Sequence, residues 1–239
     1  MKKYRHLFFD LDNTIWDFNL NAYYALKLTF EKYQLDINLY EKFYDIYIVN
    51  NERLWDLYRQ NKITKEELSK SRFEISFRET GIVGIHASDF NRDYLSQMPM
   101  QTRLCDGARS VLEKLSEKYD MHIITNGFAE VQYKKLRNSD LSHFFRKVFV
   151  SEEIKSPKPS PEIFRHALKT CSARKIESLM IGDSWDVDIV GAKEIGMDQV
   201  YYNPTSEISV DEISPINQKE GSKTMTYHIR NLNELMTFL

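Results

Sequence analysis

The sequence predicts an α/β protein, a doubly wound parallel sheet whose first strand is separated from the others by an all-helical insert. Helical and strand patterns alternate after Pro99, which is typical of a parallel sheet covered by helices. None of the 14 glycine and proline residues lies in the first 80 positions, which hold 17 of the 31 aromatic residues. A stretch without turn residues and rich in aromatic side chains favours helices packed on helices.

Composition and charge narrow the class of protein. The 239-residue chain has 33 basic and 35 acidic side chains and a formal charge of −2. This balance gives no sign of a partner such as nucleic acid or an anionic membrane. Cys105 and Cys171 lack metal-binding spacing, so two reduced thiols in a cytoplasmic protein are expected. We expect a monomer or small homo-oligomer that binds a small molecule.

The helical insert is expected at residues 17–98. Apolar side chains recur every three or four positions from residue 22 onward, as they do on one face of a helix. Cap and stop signals then divide the insert into four helices. The expected caps and stops are Asn38, the capping box of Thr64 with Glu67, Gly81, Ser88 and Pro99.

The α/β core is expected in residues 1–16 and 99–239. Short apolar runs predict its strands, and helical spacing predicts the elements between them. Strands are expected at 6–11, 121–125, 147–150, 178–181 and 199–202, with helices at about 107–119, 130–138, from Pro161 onward and 186–195. Residues 203–223, which are rich in Ser, Pro and Glu, are expected to form a surface excursion.

Polar residues follow four of the predicted strands. They are Asp10, Asp12 and Thr14 after the first strand, Thr125, Asn126 and Gly127 after the second, Lys158 after the third, and Gly182, Asp183 and Asp188 after the fourth. Ligands of an open α/β sheet bind outside the carboxyl ends of its strands. We therefore expect these residues to converge on one site.

The residue types select the chemistry of that site. Crowded carboxylates repel one another and need a cation, and oxygen ligands without His or Cys favour Mg²⁺. A magnesium ion beside a lysine and a hydroxyl suits phosphoryl oxygens. The GxxxxGK[ST] phosphate loop is absent. An aspartate can instead act as the nucleophile and form an aspartyl-phosphate.

Four motifs occur in order on these strand ends. The segment Asp10–Thr14 resembles motif I of the haloacid dehalogenase superfamily, and 125–127 resembles motif II. Lys158, within Ser-Pro-Lys-Pro, resembles motif III, and 182–183 together with Asp188 resembles motif IV. The resemblance covers the whole chain. It implies a Rossmann-like core with a helical cap inserted between motifs I and II.

The resemblance also implies catalytic roles. Asp10 would attack phosphorus, and Asp12 would protonate the leaving oxygen and then deprotonate the attacking water. Lys158 would offset the negative charge of the nucleophile and the phosphate. Thr125 and Asn126 would join Lys158 in binding the phosphate group.

A metal site is implied by the same resemblance. Mg²⁺ would be held by Asp10, by the backbone carbonyl of Asp12 and by Asp183. Asp188 and Thr14 would lie just outside these ligands, where Asp188 would orient Lys158 or a metal-bound water. Direct contact between Asp188 and the metal is left open.

The sequence of the helical cap, together with parts of the core, resembles one subgroup of the superfamily. Segments 51–55, 63–64 and 72–74 of the insert, and 124–128 and 150–154 of the core, are similar to bacterial pyrimidine 5′-nucleotidases of the YjjG type. Such enzymes remove phosphate from nucleoside monophosphates. Trp55, Tyr58, Arg72 and Phe73 are the expected substrate contacts of the cap. The opposing interpretation is that aromatic residues at helical spacing form the core of the bundle.

Three other functions are weighed against the nucleotidase. A phosphatase or phosphomutase acting on a small sugar phosphate shares the aspartyl-phosphate chemistry. A dehalogenase displaces halide without an acid or a metal, so Asp12 and Asp183 argue against it. A non-catalytic phosphate-binding protein on the same fold is opposed by the complete set of catalytic residues.

Overall fold

The computed structural model describes residues 4–205 and 224–239. The described chain forms two compact units: an α/β unit that ends its first segment at Phe18 and resumes at Arg103, and a helical unit, Asn19–Thr102. The boundaries expected from sequence lie within four residues of these. Within the described residues, no helix combines the length and apolar character needed to span a membrane.

The α/β unit is built on one sheet of six parallel strands in the order β3-β2-β1-β4-β5-β6. The strands are β1 His6–Phe9, β2 Asp120–Thr125, β3 Lys147–Val150, β4 Ser178–Gly182, β5 Asp198–Tyr202 and β6 Thr226–Ile229. The sheet confirms the predicted fold class. β6 was not predicted, and residues 206–223, which include most of the expected surface excursion, lie outside the described residues.

The register of the sheet brings the functional segments together. Phe9, the last residue of β1, pairs with Ile123 of β2 and with Ile181 of β4. The chain leaves β1 toward β2 and β3 on one side and returns to β4, β5 and β6 on the other. The carboxyl ends of β1 and β4 therefore flank the switch point, where open α/β sheets bind ligands.

Helices and buried apolar side chains cover the sheet. The helices of this unit are α5 Ala108–Ser116, α6 Ala129–Asn138, α7 Ser151–Ile154, α8 Pro161–Thr170 and α9 Val190–Glu194. Phe8, Ile124 and Met180 of three adjacent strands form one buried cluster with Ile163 and Phe164 of α8. Burying such side chains contributes roughly 1.5–3 kcal/mol each, so this cluster holds the strand ends in place.

The helical unit contains three long helices and a shorter one, α1 Phe18–Lys32, α2 Tyr40–Arg59, α3 Lys65–Thr80 and α4 Ala87–Gln97. Its core is aromatic. Phe43 of α2 stacks on Phe73 and Phe77 of α3, and Phe73 and Phe77 meet the edge of Phe90 of α4. The surplus of aromatic residues in the first third of the chain thus forms the core of this bundle.

The structure confirms some of the helix boundaries predicted for the helical unit and contradicts others. The capping box of Thr64 and Glu67 at the start of α3 is confirmed, and Gly81 ends α3 in the left-handed conformation at φ 85°. The Asn38 cap was wrong, because Asp36 caps a short 3-10 turn that precedes α2. The Ser88 cap was also wrong, since α4 already begins at Ala87 and Ser88 lies inside its first turn.

Within the α/β unit, the helix expected at 186–195 departs most from its prediction. Trp185–Ile189 form a π-helical turn, and regular α-helix begins only at Val190. The wider turn carries Asp188, whose backbone N–H donates to the Ser184 carbonyl. Of the motif residues, Asp188 lies in this irregular segment, and such turns occur often at functional sites.

Candidate active site

Lys158 lies at the centre of a cluster of charged side chains at the carboxyl ends of β1 and β4. Its ammonium Nζ lies 2.5 Å from the Asp10 carboxylate and 2.6 Å from the Asp188 carboxylate. All three side chains are buried, with Lys158 exposed by only 2%. A buried ammonium shared by two carboxylates offsets part of their charge and sets the orientation of Asp10.

The local charges shift the pKa values of these groups. Burial raises the pKa of Asp10 well above its ordinary range, Lys158 opposes the rise, and the carboxylates of Asp188 and Asp183 add to it. Burial and the charge of Asp188 raise the pKa of Asp183 to about 7. Burial opposes the charge on Lys158, but Asp10 and Asp188 together raise its pKa above the ordinary value.

Three carboxylates form a cluster suited to a cation. Asp10, Asp183 and Asp188 each offer one oxygen, and these oxygens lie within 4.8 Å of one another. A single lysine does not balance three carboxylates, and their mutual repulsion adds to the effect of burial in raising the pKa values of Asp10 and Asp183. An oxygen-only donor set with excess negative charge fits Mg²⁺.

Contacts around this cluster fix its members. The Thr14 hydroxyl donates to Asp183 Oδ1 at 3.0 Å. The backbone N–H of Ser184 donates to Asp188 Oδ2 at 3.2 Å. Gly182 makes the space for Asp188, since a Cβ atom at position 182 would lie 2.3 Å from Asp188 Oδ2. The motif therefore requires glycine at position 182, because a larger residue would collide with the side chain of Asp188.

Asn126 holds the loop that carries Lys158. Its side-chain Nδ2 donates to the Lys158 carbonyl at 2.9 Å, and its Oδ1 accepts from the Lys158 backbone N–H at 2.8 Å. Both ends of the amide thus bind the backbone of the lysine. The structure gives Asn126 a part in placing Lys158, while direct phosphate binding by Asn126 stays a prediction.

Two residues of α6 reach Asp12, and sequence reasoning missed both. Lys135 Nζ lies 2.7 Å from Asp12 Oδ1, and Gln132 Nε2 donates to Asp12 Oδ2 at 3.0 Å. Gln132 Nε2 also donates to the hydroxyl of Thr125 at 2.7 Å. Helical spacing could have placed Gln132 and Lys135 on one face, because they are three positions apart.

Lys135 is buried beside aromatic rings. Its Nζ lies 4.3 Å from the ring centroid of Trp16 and 5.3 Å from that of Phe18, which are cation–π distances. Burial lowers the pKa of Lys135, and the charge of Asp12 opposes that shift. A lysine on the buried face of a helix has no distinguishing pattern in the sequence, which is why it was overlooked.

The four predicted substrate contacts of the insert occupy two environments within the helical unit. Phe73 is fully buried in the aromatic core, and Arg72 is buried with its guanidinium bonded to Asn51 and Asn91 at 3.1 and 2.6 Å. Trp55 and Tyr58 are partly exposed on α2 and meet edge to face at 5.6 Å. Substrate contact by these residues stays a prediction.

Comparison with known proteins agrees with this geometry. A sequence model of the family described as haloacid dehalogenase-like hydrolase matches residues 7–202. The HAD-hydrolase YfnB of Bacillus subtilis is 35% identical, over 100% of this chain and 97% of its own length. A crystal structure of YfnB bound to magnesium superposes with a TM-score of 0.84, covering 100% of this chain and 99% of the other at 32% identity.

Two further relatives have names that state an activity. Pyrimidine 5′-nucleotidase PynA of Streptococcus pneumoniae is 34% identical over 84% of this chain and 84% of its own length. Pyrimidine 5′-nucleotidase YjjG of Escherichia coli is 28% identical over 99% of this chain and 98% of its own length. The similarity to both extends across the helical insert as well as the sheet.

Proposed function

Since the chain belongs to the haloacid dehalogenase-like hydrolase family, we propose that it is a Mg²⁺-dependent phosphatase that hydrolyses pyrimidine nucleoside 5′-monophosphates through an aspartyl-phosphate. The observation that carries this proposal is the contact of Lys158 with Asp10 and Asp188 beside the carboxylate of Asp183. A buried, oriented carboxylate next to a lysine and a cation site is equipped to attack phosphorus.

The first half of the reaction transfers the phosphoryl group to the protein. A carboxylate oxygen of Asp10 attacks phosphorus, and the bond from phosphorus to the ester oxygen breaks. Asp12 gives its proton to that departing oxygen, which leaves as the nucleoside hydroxyl. Lys158 offsets charge on the phosphoryl oxygens, and the Thr125 hydroxyl is available to donate to one of them.

The second half returns Asp10 to its starting state. Asp12, now a carboxylate, takes a proton from water as the water oxygen attacks phosphorus of the aspartyl-phosphate. The bond between phosphorus and the Asp10 oxygen breaks, and inorganic phosphate leaves. One aspartate thus serves as acid and then as base, so each turnover restores its proton.

Mg²⁺ would be held by Asp10, Asp183 and the backbone carbonyl of Asp12, with Asp188 close enough to contribute an oxygen. When bound, the ion supplies positive charge to the phosphoryl oxygens and neutralises the repulsion among the carboxylates. Thr14 would help to orient Asp183 for the ion, because its hydroxyl donates to Asp183 Oδ1.

The substrate class rests on the relatives. PynA and YjjG are both named as pyrimidine 5′-nucleotidases, and the similarity to YjjG covers 99% of this chain. Partly exposed aromatic side chains such as Trp55 and Tyr58 could stack on a base. The competing substrate class is a small sugar phosphate, which uses the same catalytic residues.

Asp10→Asn tests the mechanism. The variant keeps the size and shape of the side chain but replaces the nucleophilic carboxylate with a neutral amide, so we expect folding to persist and turnover to fall at least about 10³-fold. Phosphate release and circular dichroism measure the two properties. Asp140→Asn, at an exposed turn, is the matched control. Retention of most activity by Asp10→Asn would refute the covalent mechanism.

A substrate panel tests the specificity. We expect kcat/KM values with Mg²⁺ to be comparable for dUMP, UMP and dTMP and far lower for sugar phosphates. The rates should be measured at one pH with equal free magnesium. A sugar phosphate at the head of the ranking would reject the nucleotidase while keeping the phosphatase.

A further inference from the structure

We propose that Lys135 and Gln132 are positioning residues that hold the Asp12 carboxylate in the orientation from which it exchanges protons. The inference rests on the proposed function, which makes Asp12 the acid and base. It adds residues outside the four motifs, on α6, which lies 120 positions beyond Asp12 in the sequence. The juxtaposition is therefore produced by the fold.

Both oxygens of Asp12 are bound from α6. Oδ1 receives Lys135 Nζ at 2.7 Å, and Oδ2 receives Gln132 Nε2 at 3.0 Å. The Asp12 side chain is itself a quarter exposed, so without these donors it would be able to take other rotamers. Two donors from one rigid helix restrict the rotation of the carboxylate as well as its position.

The same helix face also holds the loop that follows Asp12. Ser139 lies seven positions after Gln132, and its hydroxyl oxygen accepts from the indole Nε1 of Trp16 at 3.1 Å. The backbones of Asp12 and Trp16 form an isolated β-bridge, and the Asn13 backbone N–H donates to the Trp16 carbonyl at 2.7 Å. The loop from Asp12 to Trp16 is thus bound at one end by Lys135 and Gln132 of α6 and at the other by Ser139, the residue that follows α6.

Gln132 also ties Asp12 to the expected phosphate position. Its Nε2 donates both to Asp12 and to the Thr125 hydroxyl, so a single side chain spans the two groups. In its ionised state Asp12 only accepts, so in that state the NH₂ group of Gln132 faces it. The Thr125 oxygen accepts from Gln132 and from the Gly127 N–H, so its own proton is left to donate. Gln132 therefore fixes the spacing between the Asp12 carboxylate and the Thr125 hydroxyl.

A purely structural role explains Lys135 poorly. It is 2% exposed, and burying an ammonium group carries a large desolvation cost that its ion pair at best offsets. A methionine of similar length would fill the same space among Trp16 and Phe18 without that cost. The buried charge of Lys135 is therefore explained by its contact with the Asp12 carboxylate.

The test compares Lys135→Met and Gln132→Met with the wild-type enzyme. Both changes keep much of the side-chain volume and remove the donor to Asp12. Lys134→Met is the matched control, because Lys134 is the neighbouring lysine on the exposed face of α6. Circular dichroism and thermal melting establish that each variant is folded. If Lys135→Met fails to fold, Gln132→Met carries the same test.

The readout is the dependence on the leaving group. kcat/KM is measured for an alkyl ester, the best nucleoside monophosphate of the panel, and for p-nitrophenyl phosphate. The alkoxide needs a proton from Asp12 to depart, whereas nitrophenolate does not. We expect both variants to lose about 10- to 100-fold on the alkyl ester and less than about 3-fold on the aryl ester. Lys134→Met should match wild type.

Asp12→Asn separates this inference from the proposed function. If Asp12→Asn loses activity selectively on the alkyl ester but the α6 variants lose none, or lose equally on both esters, the positioning role is refuted and the proposed function stands. If Asp12→Asn shows no selectivity, Asp12 is not the acid, and both assignments fail. Selective loss in all three variants supports both.

Discussion

At the scale of single residues, the site depends on two glycines that make room for functional side chains. A Cβ atom at Gly127 would lie 2.4 Å from the Gln132 side chain, and one at Gly182 would lie 2.3 Å from Asp188. The atoms that would clash belong to Gln132 and Asp188, whose positions are held by partners within the site. Glycine is therefore required at position 127 by the Gln132 side chain and at position 182 by the Asp188 side chain.

Gly182→Ala is expected to impair catalysis by displacing Asp188. The added methyl group pushes the carboxylate away from Lys158 Nζ, and the misplacement should lower kcat/KM by about 10- to 100-fold. Steady-state kinetics measures the loss, and a thermal melt measures the accompanying strain. In an Asp188→Gly background all the side-chain atoms that would clash are gone, so Gly182→Ala should then cause little further loss. Additive losses would show that Asp188 is not the cause.

At the scale of elements, β2 carries a buried histidine whose position is unrelated to the active site. His122 stacks on Phe8 at 4.9 Å, and its Nε2 lies 3.3 Å from His6 Nδ1. Burial lowers the pKa of His122 to about 4, and the charge of His6 adds to the shift. The folded protein therefore keeps this imidazole neutral.

The expected consequence is a loss of stability in mild acid. His122 takes up its proton at an ordinary pKa near 6.5 when unfolded and only near 4 when folded, so the unfolded state binds more protons between these values. Its contribution to stability is present above about pH 6.5 and falls by about 2 kcal/mol between pH 7 and pH 5. Urea unfolding at both pH values measures this.

His122→Gln provides the control for that prediction. Glutamine does not titrate, so the variant should lose less stability than wild type over the same pH interval. The difference between the two proteins isolates His122 from the carboxylates, which titrate in both. Equal losses would mean that His122 takes up its proton in the folded state as readily as in the unfolded chain.

At the scale of the whole molecule, the balanced charge of −2 conceals a local excess at the switch point of the sheet. Asp10, Asp183 and Asp188 lie close together, Lys158 pairs with Asp10 and Asp188 only, and the remaining repulsion is part of the folded state. Whatever cation binds there binds the folded protein alone. Binding should therefore appear as a gain in stability.

Mg²⁺ is expected to raise the melting temperature and to be needed for activity. At about 100 times its dissociation constant the ion adds about 2.7 kcal/mol, or roughly 5–10 °C for a chain of this size. Scanning calorimetry measures the shift, and Asp183→Asn should remove most of it. Full phosphatase activity in EDTA, or an equal shift in Asp183→Asn, would contradict the magnesium site.

The sequence by itself determined the type of fold and the composition of the site. Five of the six described strands follow from short apolar runs, because burial on both faces demands them. The predicted parallel arrangement then brings Asp10, Lys158 and Asp183 to one edge of the sheet, since parallel strands all point their carboxyl ends the same way. Local chemistry also placed the capping box at Thr64, where donor and acceptor are three residues apart.

Only the tertiary structure decided which polar groups meet. Lys135 and Gln132 reach Asp12 across more than a hundred residues, and Asn126 reaches the Lys158 backbone across 32. Periodicity reveals which face of a helix is buried but not what that face contacts. The partner of a buried polar group is chosen by the packing of distant elements, and no spacing along the chain encodes it.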